Sequence, residues 1–267
     1  MKEKQVVRKS RVSRRERWAE IWENSWPPLL TLVVLLACWE VGVRVFDTSA
    51  LVLPPPSEII RETAACFRVE LLPDLLTTIK IIAMGYLTGV PMGILLASIL
   101  SQSKLLTKAL TPLIIVFVTL PTMVVIPTFM VWVGYEVNYR ALLVFVQTTA
   151  ILALNTLSGF QNVEQNKLDL AKGYGASRFQ TFFKVIFPNA LPEVFQGLRL
   201  GCSFSILTTI GIELIAGNIG MGFSVQYFSG LLRTRVAWGC ILLVGITGRV
   251  MFMLVQMLER RIVTWKR

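Results

Sequence analysis

The chain has 267 residues, of which 54% are hydrophobic and only 16% are charged, and its formal net charge is +11. This composition excludes an ordinary water-facing globular protein, because too few polar residues are available to cover its surface. Four scattered cysteines and the complete lack of histidine argue against a disulfide framework, a zinc site and the commonest general base.

Six apolar runs are each long enough to cross a bilayer, which takes about 20 helical residues. They lie near residues 27–46, 77–100, 109–133, 141–160, 197–217 and 237–258. The alternating ten-residue segments of a membrane barrel do not occur. The sequence therefore predicts an all-α integral membrane protein with about six transmembrane helices. We expect a basic arm over residues 1–26 and a single membrane domain over residues 27–267.

Basic residues are concentrated in alternate connecting segments. Residues 1–17 carry eight of them, and later segments of the same set add Lys104, Lys108, Lys167, Lys172, Arg178, Lys184, Arg260, Arg261, Lys266 and Arg267. The positive-inside rule then places both termini in the cytoplasm and explains the charge without a nucleic-acid partner. Because no cleavage-site pattern follows the first apolar run, we expect that run to remain as an anchor.

The second and third spans contain residues that alter helix packing. Gly85, Gly89 and Gly93 recur at intervals of four, so another backbone can approach that face closely. The neighbour is either a moving helix or a static one. Pro121 and Pro127 free carbonyl groups in the third span, which partner helices or water must satisfy.

A long polar stretch over residues 161–199 separates the fourth and fifth spans and predicts two short helices. In the first helix, Leu168, Ala171 and Gly175 share one face, and Gly175 suits the left-handed position that follows a helix end. The two helices and the glycine between them form an elbow outside the membrane. An elbow of this kind lies flat on lipid or is presented to a protein partner.

The second helix of the elbow has its own start and stop signals. Ser177 with Gln180 predicts a capping box. Pro188 is expected to end the helix. Between these signals an apolar face recurs at helical spacing and consists of Phe179, Phe182, Phe183 and Ile186.

Three ionisable residues fall in or near spans, where a lone charge is costly unless it faces a cavity, a partner or the interface. Lys80 is close enough to the end of its span to extend toward the interface. Glu213 either lines a translocation route or hinge or forms a structural ion pair. Arg249 pairs with an anionic substrate or with Glu213. The sequence contains no G-x4-G-K-[ST] phosphate loop and no catalytic constellation of carboxylates.

The elbow carries a resemblance to a known family. Residues 169–177 (DLAKGYGAS), followed by PNALP at 188–192 and GLR at 197–199, resemble the EAA motif of ABC importer permeases. The segments LPPPS at 53–57, LP at 120–121 and WVG at 132–134, together with Glu213-x3-Gly217-x2-Gly220-x-Gly222, resemble the subfamily for nitrate, sulfonate, taurine and bicarbonate. Asp169 and Leu170 stand where that motif usually has Glu and Ala.

The resemblance implies the permease subunit of an ATP-driven importer in the bacterial inner membrane. It implies a homodimer, two separate ATPase subunits that bind ATP and Mg, and an extracytoplasmic binding protein that delivers the substrate. No cofactor and no catalysis are expected on this chain. A sulfonate-, nitrate- or taurine-like anion is the first expected substrate, and a neutral heterocycle or vitamin precursor is the alternative. A passive channel and a membrane scaffold remain rival functions.

The resemblance also assigns roles to residues. The loop over residues 161–196 becomes the coupling helix and its flanks, which dock the ATPase through Leu168, Asp169, Ala171, Gly175, Ala176 and Ser177. The elbow would be anchored to the helical bundle by Phe179, Phe182, Phe183, Pro188 and Pro192. Independently of the resemblance, their positions within the spans make three residues the candidate translocation path, namely Glu213, Arg249 and Pro121.

Overall fold

The computed structural model describes residues 14–134 and 136–264. Residues 1–13, which hold most of the basic side chains of the predicted arm, and residues 265–267 lie outside the described part. Every regular element in that part is helical, which confirms the predicted all-α fold. The helices are α1 (Arg14–Val45), α2 (Pro56–Cys66), α3 (Leu72–Leu100), α4 (Lys104–Thr119), α5 (Thr122–Val133), α6 (Val137–Gln161), α7 (Gln165–Gly173), α8 (Arg178–Thr181), α9 (Phe187–Ala216), α10 (Met221–Gly230) and α11 (Thr234–Ile262).

Two wide π-helical turns fuse neighbouring helices into longer rods. Residues Phe67–Leu71 join α2 to α3 just before Pro73, and residues Phe182–Ile186 join α8 to α9 just before Pro188. A proline has no N–H to donate, and its ring collides with the carbonyl four residues earlier. A turn with i to i+5 hydrogen bonds changes the register locally. The helix can therefore continue through the proline.

The predicted stop at Pro188 is consequently wrong. The second helix of the elbow does not end there but runs on as a single apolar rod over Arg178–Ala216, which is 39 residues long. At 1.5 Å per residue this rod is about 58 Å long. Pro192 also lies inside it. The second helix of the elbow and the fifth span are therefore parts of one continuous element.

The predicted glycine face of α3 packs directly against α6. A Cβ atom on Gly89 would lie 2.8 Å from the Cβ of Thr148, and one on Gly93 would lie 2.8 Å from the Cβ of Leu152. These distances are too short for a side chain, so the two backbones approach as closely as glycine allows. The sequence did not show which helix packs against this face, and the structure shows that it is α6.

The two ends of the bundle are distinguished by their loops. We call the end that carries the elbow, residues 161–186, the elbow end, and the end that carries the α9–α10 loop, residues 217–220, the distal end. Helix α3 ends at the elbow end, where Ser101 and Gln161 line one cavity. Helix α6 begins at the distal end, where Arg140 contacts Ile219. The α4–α5 pair between them must therefore cross the bundle.

The number of crossings agrees with the expected six once this pair is included. Five rods of the described chain are long and apolar enough to span a membrane, and the α4–α5 pair adds a sixth that is bent by 96°. Helix α11 runs from the distal end, where Arg233 pairs with Glu70 at 2.9 Å, back to the elbow end, where Val263 clusters with Phe195. Helix α1 reaches the distal end at Glu40, whose carboxylate accepts a hydrogen bond from the N–H of Ser57 at 3.0 Å. Both ends of the described chain thus lie at the elbow end.

Candidate functional site

The first helix of the elbow ends in the predicted left-handed glycine. Gly175 has φ +71°, its N–H donates to the carbonyl of Lys172 at 2.9 Å, and the N–H of Ala176 donates to the carbonyl of Ala171 at 3.0 Å. These two hydrogen bonds form a Schellman motif, which satisfies carbonyls that a helix end leaves without a partner. The predicted left-handed helix end at Gly175 is confirmed, and the chain turns sharply at this point.

The second helix of the elbow begins with the predicted capping box. The side chain of Ser177 accepts a hydrogen bond from the N–H of Gln180 at 3.2 Å, and the Gln180 side chain accepts one from the N–H of Ser177 at 2.9 Å. Both caps hold adjacent backbone in fixed conformations. The elbow is therefore a defined turn between two helices and not a loose loop.

Phe182, Ile186 and Lys167 attach the elbow to the described part of the bundle, and the first two pack on the same apolar cluster. The ring of Phe182 lies 5.2 Å from the ring of Phe160, and Lys167 Nζ donates to Asn189 Oδ1 at 2.9 Å. Phe179 and Phe183 were expected to anchor the elbow as well. They are instead 72% and 52% exposed and pack on each other, and Phe183 reaches the described bundle only through the ring of Phe182, which lies 5.2 Å away.

The elbow presents an apolar surface away from the bundle. Leu170 is 63% exposed and Tyr174 is 85% exposed, and both lie on the same side of α7 in sequence register, at i and i+4. Leu168 and Ala176, two of the predicted docking residues, line a cavity on the bundle side, and the docking role of the predicted set stays a prediction. We call Leu170 and Tyr174 the exposed elbow face. Sequence reasoning missed it, although the bulk of Leu170 at an alanine position was a signal.

A second constellation lies at the distal end, around Glu213. This side chain has no exposed surface, and its carboxylate accepts hydrogen bonds from the Thr78 hydroxyl at 2.8 and 2.9 Å and from the N–H of Gly222 at 2.9 Å. The Thr78 oxygen in turn accepts the N–H of Met221 at 2.8 Å. The carboxylate thereby joins α3 and α9 to the start of α10.

Two further charged residues hold the adjacent loop. Asp74 accepts the N–H of Gly220 at 3.1 Å and the hydroxyl of Ser224. Arg140 donates to Asn218 Oδ1 at 2.7 Å and to the carbonyl of Ile219 at 3.2 Å. Gly220 has φ +116°, and a Cβ there would collide with the Glu213 carboxylate. We call the side chains of Glu213, Thr78, Asp74 and Arg140, with the residues 218–224 that they bind, the distal network. Its members Asp74, Thr78 and Arg140 were not singled out from the sequence.

The predicted path residues do not come together in the described structure. Glu213 is sealed inside the distal network and lines no open passage in this conformation. Arg249 is exposed on α11 and forms no hydrogen bond or ion pair within residues 14–134 and 136–264, so of its two candidate partners the structure excludes Glu213 and leaves the anionic substrate as a prediction. Lys80 is also exposed, and Pro121 lies exposed at the bend between α4 and α5.

Comparison with known proteins shows that most of the chain matches one protein family. Residues 89–264 match the family described as "Binding-protein-dependent transport system inner membrane component". The chain is 30% identical over 266 residues to the taurine transport system permease protein of Escherichia coli (strain K12), covering 95% of this chain and 94% of that one.

Two other curated relatives differ in what their names say they transport. The formylaminopyrimidine transport permease of Halalkalibacterium halodurans is 25% identical, covering 90% of this chain and 96% of that one. A putative aliphatic sulfonates transport permease of Bacillus subtilis (strain 168) is 27% identical, covering 89% and 87%. Among solved structures, a bacterial ABC transporter involved in alginate import superposes with a TM-score of 0.61 at 14% identity, covering 92% of this chain and 98% of that one.

Proposed function

Because the chain belongs to the family of inner membrane components of binding-protein-dependent transport systems, it is the permease subunit of an ABC importer, and we propose how it works. Two copies form the transport pathway, two separate ATPase subunits dock on the two elbows, and an extracytoplasmic binding protein delivers the substrate at the distal end. The elbow end and both termini face the cytoplasm. ATP and Mg belong to the ATPase partner.

The exposed elbow face carries this proposal. Large apolar side chains on a short capped helix outside the span need a cover, and a groove on a protein partner supplies one. The second helix of the elbow continues without interruption into the rod that carries Glu213 near its far end. A displacement of the elbow therefore moves the rod as a rigid body, and the far end of the rod transmits that displacement to the distal network.

For the substrate we propose a small sulfonate-type anion. Two of the three relatives carry taurine or aliphatic sulfonates in their names, and Arg249 supplies an exposed cation within a span, where a charge needs a counterpart. The third relative is named for a neutral pyrimidine, which is the competing substrate class.

Docking is tested by capture of the tagged full chain from its native membrane. We expect an ATPase to copurify, and we expect the double variant Leu170→Asp/Tyr174→Asp to lose it, since two carboxylates on the exposed elbow face oppose burial in a groove. Val52→Asp is the matched control, because Val52 is 72% exposed in the loop before α2 at the other end of the bundle. Equal capture by the double variant and the control would refute docking through this face.

The substrate class is tested by ATP-dependent uptake in vesicles that contain the assembled transporter and its binding protein. We expect uptake of labelled taurine, and a loss of about tenfold or more for Arg249→Gln with partial recovery for Arg249→Lys. Uptake of a neutral pyrimidine in preference to taurine, unaffected by Arg249→Gln, would overturn the anion proposal while leaving the importer function intact.

A further inference from the structure

A basic cavity of about 870 Å³ lies at the elbow end, between the elbow and the ends of three spans. Its walls come from the α3–α4 connection, the start of α4, the end of α6 and the bundle-facing side of the elbow. Among the described residues that line it, none is acidic and four are cationic: Lys104, Lys108, Lys172 and Arg178. Lys172 also pairs with Asp169, which is not in the lining, at 3.5 Å. The cavity is thus suited to a phosphate-bearing group.

The floor of this cavity leads into the membrane. A second cavity of about 380 Å³ shares Thr107, Lys108 and Gln161 with the first and continues between α4 and α6. Its deeper residues, Thr111 and Leu154, lie about two helical turns, or roughly 10 Å, below the surface residues of their helices. The lining therefore changes from charged to apolar with depth.

Loose packing of α4 leaves this groove open. Ile114 is the single buried residue of α4, so the helix contacts the rest of the described chain along a narrow strip. The hydroxyl of Thr111, which lines the groove, is buried and has no hydrogen-bond partner among the described residues. A buried polar atom of this kind normally has a partner.

We propose that an anionic phospholipid of the membrane leaflet at the elbow end occupies the two cavities together. Its phosphate lies among the four cations, an acyl chain fills the groove between α4 and α6, and an ester oxygen is available to the Thr111 hydroxyl. A free phosphate ion would satisfy the charges but would leave the apolar groove empty. The site lies on the bundle-facing side of the elbow and leaves the exposed elbow face free.

Binding is tested on the delipidated full chain in non-ionic detergent by native mass spectrometry. The probes are phosphatidylglycerol, phosphatidylcholine and inorganic phosphate. We expect one phosphatidylglycerol per chain, bound at least tenfold more tightly than phosphatidylcholine. The variant Lys104→Gln/Lys108→Gln should weaken it about tenfold or more. The control Lys184→Gln/Arg261→Gln removes the same charge from exposed positions outside the cavity and should change binding less than twofold.

A third variant separates lipid from free phosphate. Ser158 is exposed and lines the groove, so Ser158→Phe fills the groove without disturbing the core and should weaken phosphatidylglycerol while leaving phosphate unchanged. Equal binding of the two lipids, equal loss in the control pair, or displacement by phosphate with no effect of Ser158→Phe would each overturn the proposal. Because binding is measured without transport, such a failure leaves the importer function untouched.

Discussion

Glu213 shows how much of a single residue's environment depends on distant parts of the chain. Its position in a span was visible in the sequence, and a charge there required partners. The hydroxyl that it accepts from belongs to Thr78, 135 residues earlier, and no spacing rule links such positions. The sequence therefore identified the carboxylate but not the network that encloses it.

The Thr78 hydroxyl is the first residue-scale test. Thr78→Val removes a donor to the buried carboxylate and an acceptor for the N–H of Met221, and leaving buried polar groups without partners costs about 1–3 kcal/mol each. We expect a clear drop in the thermal unfolding temperature of the purified chain. Thr77→Val is the neighbouring control, because the Thr77 hydroxyl bonds only to Pro73 in its own helix among the described residues. Equal effects of the two variants would contradict the structural role of the network.

Gly175 gives a second test, one of coupling. A β-branched side chain is strained at φ +71°, so Gly175→Val should distort the Schellman turn at a local cost of about 1–2 kcal/mol. We expect the assembled transporter to retain ATP hydrolysis and membrane insertion while substrate uptake falls severalfold. The control is Gly173→Ala, whose added Cβ meets nothing within 4 Å. Uptake at the normal level in the Gly175→Val transporter would count against the coupling role of the elbow.

At the scale of the helices, the sequence predicted the close packing of one face of α3 but not its partner, which is α6. Three glycines at intervals of four predicted a close-packed face, but a spacing on one helix says nothing about which helix meets it. Proline was less informative. Pro188 marked a boundary in the sequence, yet the wide turn before it kept the helix continuous, because an i to i+5 turn relieves the collision that proline causes.

The α3–α6 contact is tested by enlarging one glycine. Gly89→Leu places a side chain where the Cβ of Thr148 already lies 2.8 Å from the new Cβ, and overpacking of this kind costs typically 1–3 kcal/mol or more. We expect lower yield of folded protein and a lower unfolding temperature in detergent. Gly42→Leu on α1 should be tolerated, because a Cβ there meets nothing within 4 Å. If both variants unfold at the same temperature, the two backbones are not as close as described.

For the whole molecule, the class of fold followed from composition and from the length of the apolar runs, since a bilayer sets that length physically. The capped elbow followed from local chemistry at Gly175, Ser177 and Gln180. The exposure of Phe179 and Phe183 did not, because an apolar face at helical spacing does not show which of its side chains meets the bundle. Neither did the two cavities at the elbow end, which arise only where separate helices meet.

The assembly itself makes a prediction about flux. If movement of the rod opens and closes the route, vesicles that contain this chain alone should take up taurine no faster than empty vesicles. Adding the ATPase subunits, the binding protein and ATP should produce uptake that stops when ATP is withheld. Steady flux through the lone chain, with no ATP, would instead identify a passive channel.

The 96° bend between α4 and α5 has a consequence for hydration. At the bend, Pro121 has no N–H, and no side chain among the described residues caps the start of α5. Only some of the carbonyl and amide groups there, such as the N–H groups of Leu120 and Val124, have backbone partners, and the rest lack helical ones near the middle of a span. Such groups are tolerated at membrane depth only beside other protein or liquid water. Water must therefore reach the bend whenever no second copy covers it, and a cysteine introduced at Met123 would then react with a membrane-impermeant thiol reagent.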